Sequence, residues 1–219
     1  MAAAAFLGAA PGAQAETFIF TGSGGGTVDV FETAQTGRQF YNSVRRSTTF
    51  VPANGINLFF HRDTRNDTLS VLLLADRFND GTAGSLSGSF TNLTPTATVT
   101  RSDDNGELQI TSPGVAVFNF TFNARGTDGG VISGLNPLDV GFQFSISGVT
   151  GLTSVNLVGT NGVTTLGGPS AGFSLVANNP EPEAWALFII SFFGVAAAMK
   201  RRRPQILAAG DIAAPRHAI

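Results

Sequence analysis

Hydrophobic and polar residues alternate along most of the chain. Phe118, Phe120 and Phe122 fall on one side of a strand pattern, with Val117, Asn119 and Thr121 on the other. Phe142, Phe144 and Ile146 repeat it opposite Gln143, Ser145 and Ser147. A period of two belongs to an extended strand with one buried face, not to a helix. The run Leu69-Ser70-Val71-Leu72-Leu73-Leu74 is denser and predicts a central strand. Thr96 to Thr100 has a thin apolar side, which places it nearer an edge. Turn residues punctuate the pattern at Gly22 to Gly26, Asn54-Gly55, Asp80-Gly81, Gly126 to Gly130, Asn161-Gly162 and Gly167-Gly168-Pro169. Asp104-Asn105-Gly106 predicts a hairpin joining residues 98–100 to 108–110, because Asn and Gly accept positive φ. No ten-residue stretch between positions 16 and 179 carries a helical stripe, and no fixed repeat marks a solenoid or propeller. The expectation is an all-β fold, a single antiparallel β-sandwich of jelly-roll or Ig-like kind, with about ten to thirteen strands.

Two end segments break the alternation. Residues 1–15 form a short Ala-rich apolar run that closes on Ala13-Gln14-Ala15. Small residues at Ala13 and Ala15 suit the narrow pockets of a signal peptidase, so the segment reads as a signal peptide cleaved after Ala15. It lacks the cations such peptides normally start with: the first Lys or Arg is Arg38. At the other end, Ala184 to Met199 holds no charge and has apolar residues on every side. A surface helix of a soluble domain would show a polar stripe instead. As a helix the run spans about 24 Å at ~1.5 Å per residue, short of the ~30 Å hydrocarbon core by an amount that bilayer thinning and snorkelling absorb. Leu187, Phe188, Ile189, Ile190, Phe192, Phe193 and Val195 together favour insertion by about 2–4 kcal/mol. Lys200, Arg201, Arg202 and Arg203 form a stop-transfer cluster that stays cytoplasmic and leaves the N-terminal part outside. Trp185 falls at the outer headgroup level.

The three parts together resemble a known sorting signal. Pro180-Glu181-Pro182-Glu183-Ala184-Trp185-Ala186, the apolar helix and the basic cluster are similar to the PEP-CTERM domain, in its variant with Trp and Ala after two variable residues. Residues 180–203 carry the whole match. The resemblance implies bacterial export, processing by an exosortase, and a surface or matrix protein associated with exopolysaccharide and biofilm. The sorting residues it implies are Pro180, Glu181, Pro182, Trp185 and Ala186. Physically, Pro180 and Pro182 remove two backbone donors and keep the peptide extended, as a protease-like cleft requires. Glu181 adds a fixed negative charge for a cationic pocket. The family usually stops soon after the basic cluster, whereas residues 204–219 continue here as a patternless tail.

Composition narrows what the body, residues 16–179, can do. It contains 8 Arg, no Lys and 12 acidic residues, a net charge of −4, and fifteen of the 19 Phe. That balance argues against nucleic acid as a partner. The absence of cysteine excludes disulfides, thiolate zinc sites and a thiol nucleophile. Gly168-Pro169-Ser170-Ala171-Gly172 has the spacing of a nucleophile elbow, but the only downstream histidine is His217, and Pro169 would distort the elbow. The segment reads as a turn. His61, the body's only histidine, follows Phe60 and precedes Arg62-Asp63, which predicts a solvent-facing strand end, with Asp63 or Asp67 as conceivable partners. Asp76, Asn79 and Asp80, and the run Asp103 to Glu107, are oxygen-rich loops of the kind calcium uses, without EF-hand spacing. Ordinary turn chemistry accounts for them, and no metal or cofactor is assigned. Gly22 to Gly26 lacks the Lys and helix of a phosphate loop, and Arg45-Arg46 reads as a solvated pair that could reach an acidic glycan. Sugar stacking on aromatic faces has little to work with, since the body has no Trp and only Tyr41.

The expected function is a non-catalytic exported surface or matrix protein. Its partners would be signal peptidase and exosortase as processing enzymes, the membrane through one helix, and exopolysaccharide. The alternative is an extracytoplasmic module binding a polysaccharide or small ligand, with calcium as an aid. A hydrolase stands third.

Overall fold

The computed structural model describes residues 17–136, 141–170 and 172–178. The chain divides into two units, Met1–Pro180 and Glu181–Ile219, and every described residue lies in the first. The expected signal peptide, the apolar helix 184–199 and the tail therefore lie outside the described residues. Among the described residues, no helix is long and apolar enough to cross a membrane.

The described chain is mostly β, folded into two sheets with one short helix. The first, sheet A, contains β1 (Thr17–Gly22), β2 (Gly26–Asp29), β6 (Gly84–Thr91), β8 (Leu108–Ser112), β9 (Val115–Phe122), β11 (Gly141–Thr150) and β14 (Ser174–Asn178). Its order is β2-β1-β14-β11-β6-β9-β8. The second, sheet B, contains β4 (Gly55–Asp63), β5 (Thr68–Ala75), β7 (Thr98–Ser102), β10 (Asp128–Leu135), β12 (Ser154–Gly159) and β13 (Gly162–Gly167). Its order is β13-β12-β4-β5-β10-β7, and β3 (Phe31–Thr33) joins it beside β4.

The alternation explains the sandwich. Phe18, Phe20, Phe90, Phe118, Phe120, Phe122, Phe142 and Phe144 of sheet A point into one core. Ile56, Leu58, Phe60, Leu69, Val71, Leu73 and Leu157 of sheet B meet them there. The rings stack in a chain: Phe18 on Phe60 at 4.7 Å, Phe60 on Phe142 at 6.0 Å, and Phe118 on Phe144 at 5.7 Å. Each buried Phe contributes about 2–3 kcal/mol by area, and each ring pair adds about 0.5–1.5 kcal/mol.

Sheet B also has a covered outer face. Helix α1 (Gly37–Val44) lays Phe40, Tyr41 and Val44 over Phe59, Leu72, Leu74, Val131 and Val158. β4 and β5 are thus buried on both sides, which is why their sequences run apolar without alternation. The central place expected for residues 69–74 and the edge place expected for the strand at 98–100 are both observed. The helix itself lacks a ten-residue stripe to betray it. It starts on a capping box in which Thr36 Oγ1 accepts from Gln39 N and Gln39 Oε1 accepts from Thr36 N. Gly37 permits its close approach, since a Cβ there would overlap Ser70 Oγ.

Three expectations are corrected. The sandwich is not wholly antiparallel in the jelly-roll or Ig-like manner: β12 and β3 both run parallel to β4, beside its first and last halves. The described strands number fourteen, above the expected range. The hairpin expected at residues 104–106 does not form, because β7 pairs with β10 in sheet B while β8 pairs with β9 in sheet A. Gly106 does take a positive φ of 88°, but Asn105 does not, so only the glycine half of the expected turn chemistry is found. The chain nevertheless uses that turn to cross between sheets, fixed at one end by Asp103 N donating to Gly129 O at 3.0 Å and at the other by buried Leu108.

Two substitutions test this packing. Phe90→Ala is expected to lower the unfolding free energy by about 3–5 kcal/mol, and Thr36→Ala by about 1 kcal/mol, both read from urea unfolding curves. Equal losses would mean that the inter-sheet ring stack is not the dominant packing contribution.

Candidate functional site

One end of the sandwich gathers most of its charged loops. The register sets Asp128 opposite Ala75, Ile56 opposite Ala75, and Gly84 opposite Phe122. The loops that leave these strands therefore converge. They bring Asp76, Asp80, Asp103, Asp104, Glu107 and Asp128 together with Arg45, Arg77, Arg101 and Arg125. A cleft of about 340 Å³ opens among Arg45, Arg101, Asp103, Asp104, Asn123 and Asp128.

Asp103 organises the helix side of this cleft. Arg45 Nη1 and Arg101 Nη2 donate to its Oδ1 at 2.5 and 2.9 Å, and Tyr41 Oη donates to its Oδ2 at 2.9 Å. Burial, with the Asp103 charge added, pushes the Tyr41 phenol far above its ordinary value. Tyr41 is fully buried, so the only aromatic the sequence offered for sugar stacking is not on the surface. The Arg45-Arg46 pair is solvated only in part: Arg45 is half-buried and holds Asp103, while Arg46 is exposed and lies 5.8 Å over the exposed Phe78 ring.

Two carboxyl pairs complete the site. Asn54 N donates to Asp76 Oδ1 at 2.8 Å and to Asp80 Oδ2 at 3.1 Å, so a single amide holds both acids together. Asp76 is fully buried, and burial followed by its hydrogen bond with Asp80 raises its carboxyl to about 7. Asp80 is lowered: burial pushes it up, but hydrogen bonds from Asp76, Thr82 and Asn54 and the Arg77 charge outweigh that. In the second pair, Asp128 accepts from Thr121 N at 3.0 Å and from Gly129 N at 2.6 Å. Burial, then the charge of Glu107, raises Asp128 to about 7. Glu107 Oε2 has no other hydrogen-bond partner, and the proton that the raised Asp128 retains can be donated to it.

Oxygen atoms of Asp104, Glu107 and Asp128 all lie within 4.8 Å of one another. Such a trio can hold a hard cation through oxygen, or relieve its own repulsion by keeping a proton. The sequence singles out Asp104 and Glu107 in their loop. It gives no sign of Asp128, whose Asp-Gly-Gly context reads as a turn yet begins β10.

The remaining sequence candidates lie elsewhere. His61 is not a surface histidine: it is fully buried on the outer face of β4 beneath α1. It stacks on Phe40 at 4.5 Å, and its Nε2 hydrogen-bonds Thr33 Oγ1 at 2.8 Å. Burial lowers it to about 4, against the opposing pull of Asp63. Asp63 is spoken for by Arg65, whose hydrogen bonds hold it down to about 2, while Asp67 pairs with Arg62. His61 lies six residues along β4 from Gly55, about 20 Å from the acidic end, and cannot serve it. Ser170 is exposed, and its carbonyl accepts from Phe173 N, as in a turn. Gly22 to Gly26 joins β1 to β2 as a hairpin turn. Ala13, Ala15, Pro180, Glu181, Pro182, Trp185, Ala186 and Lys200 to Arg203 lie outside the described residues. No family model, curated protein or solved structure matches the chain.

The shared proton has a sign that can be measured. Asp128 holds its proton to about 7 in the fold, against 3.8 ordinarily. The unfolded chain therefore releases it first as pH rises. This contribution to stability is complete below the unfolded value and is lost as pH rises through about 7. Glu107→Gln supplies an amide donor to Asp128 without needing that proton. Its stability relative to wild type is expected to improve by about 1 kcal/mol or more between pH 5 and pH 8 in urea unfolding. Asp76, also raised to about 7, and His61 titrate in both proteins and cancel in the difference. A difference that does not change with pH removes the shared proton.

Proposed function

We propose that this chain is an exported bacterial surface or extracellular-matrix protein, non-catalytic, delivered by an N-terminal signal peptide and processed at its C-terminus by an exosortase. The observation that carries this reading is the order of three unlike parts at 180–203: a Pro-Glu-Pro handle, a charge-free run, and four adjacent cations. Each part has its own physical task. The handle is extended and acidic, the run partitions into lipid, and the cations stop transfer and fix the body outside. Signal peptidase would act after Ala15.

The body supports the reading in a weaker way. Its core is built from phenylalanine without cysteine, so it needs no oxidising partner to fold outside the cell. The one histidine among its described residues is sealed in a secondary core, where it cannot exchange protons with a substrate. What the body presents instead is surface.

The test replaces Pro180, Glu181 and Pro182 together by Ala in the full chain, expressed in a bacterium that carries an exosortase. The precursor is expected to accumulate in the membrane fraction, with processing slowed about tenfold or more on immunoblots. Processing at the wild-type rate would reject the sorting reading.

A further inference from the structure

The two outer faces of the sandwich are built for different surroundings. That of sheet B is closed by α1 and its apolar cluster. That of sheet A is uncovered by any described element, and it has an unusual composition. Six adjacent strands, β1, β14, β11, β6, β9 and β8, contain no Asp, Glu, Lys or Arg at all. In sheet A only the edge strand β2 contributes a charge, Asp29. Protein surfaces of this extent ordinarily owe their solubility to charges of both signs. Here every charge has been kept to the loops, the other sheet and the rim.

The face is nonetheless polar. Its outward positions are mostly hydroxyls and amides set in rows across the strands. Ser89, Ser145 and Ser174 stand opposite one another on β6, β11 and β14. Asn119 stands opposite Ser87 on β9 and β6. Neighbouring strands are about 4.8 Å apart, so the rows form a regular grid of polar groups. The groups bond sideways: Ser145 Oγ to Ser174 Oγ at 3.3 Å, and Ser147 Oγ to Ser87 Oγ at 3.3 Å. A hydroxyl has one donor and two acceptor sites, so a lateral bond leaves capacity directed outward.

We propose that the outer face of sheet A binds an uncharged, hydroxyl-bearing polymer, a neutral polysaccharide, laid flat across the strands. Hydroxyls and amides both donate and accept, which matches sugar hydroxyls without desolvating an ion on either side. A charged polymer would lose hydration against this face and gain no counter-charge. A second copy of the chain fits less well, because dimer interfaces have an apolar centre, and Ile19 and Val117 are the large apolar side chains exposed on this face. Without aromatic stacking each sugar binds weakly, and affinity comes from many contacts along one polymer. The attraction involves neither ions nor metal, so salt and chelators leave it intact. The export reading bears only on where the polymer is met, and the binding test below is independent of it.

The test is co-sedimentation of the purified full chain, in mild detergent, with insoluble neutral glucans (cellulose and curdlan), with polyuronate gel as the charged control. Wild type is expected to pellet with a neutral glucan, unchanged by about 0.5 M NaCl or by EDTA, and to leave the polyuronate unbound. Ser87→Arg and Ser145→Glu are each expected to weaken pelleting about tenfold or more, and the double variant S87A/S145A several-fold. Thr64→Arg, on the turn between β4 and β5, is expected to bind as wild type does. Unfolding curves on all variants separate a lost surface from a lost fold, and the alanine pair adds no charge that could disturb folding. Failure to pellet with either glucan, loss of binding in salt or chelator, or full binding by Ser87→Arg overturns the proposal. A concentration-dependent dimer that Ser87→Arg abolishes overturns it too, and assigns the face to a second copy.

Discussion

The fold depends on one constraint: a layer of phenylalanines must be shielded from both sides. Sheet A presents a row of rings on one face, and no single sheet can hide them. Sheet B answers with Ile56, Leu58, Phe60, Leu69, Val71 and Leu73. Once those are committed inward, the reverse side of sheet B exposes Phe59, Leu72, Leu74 and Val131, which in turn demand α1. Two strands that are apolar on both faces thus require two layers of cover. The outer face of sheet A carries no such requirement, and its sequence turns polar there.

This asymmetry also accounts for where the charges are. Between two apolar layers a carboxylate has no water, so the acids lie at strand ends, in loops and, for Glu32, on the exposed side of the short strand β3. At the loop end they crowd closely enough that Asp76 with Asp80, and Asp128 with Glu107, share hydrogen bonds that need a proton. Asp103 avoids this fate by taking three donors from Tyr41, Arg45 and Arg101. The same end therefore contains one satisfied carboxylate and two mutually interacting carboxyl pairs, placed by β5 and β7 against β10 and by β8 against β9.

Much of this was readable in the sequence wherever one face met the core and the other met water. The alternation at residues 118–122 and 142–146 gives β9 and β11 directly, and the dense run at 69–74 gives the centre of sheet B. Legibility fails where the partner is distant. The turn at 104–106 has hairpin chemistry, yet the strands on either side find better partners in different sheets. His61 sits between Phe60 and Arg62-Asp63, a context that looks like solvent, because nothing local announces that α1 will cover it. Helix α1 announces itself only by Thr36, Gln39 and the spacing of Phe40 and Val44, too short a signal for a periodicity window. Asp128 joins its carboxylate neighbours through tertiary register alone.

The proposed role rests on the ends of the chain, with a charge-partitioned β body as the passenger between them. Mass spectrometry of the polypeptide recovered from culture medium and cell surface addresses that directly. The account predicts a protein that begins at Glu16 and lacks the residues from Trp185 onward. An intact polypeptide confined to the cytosol, with both ends present, would contradict it.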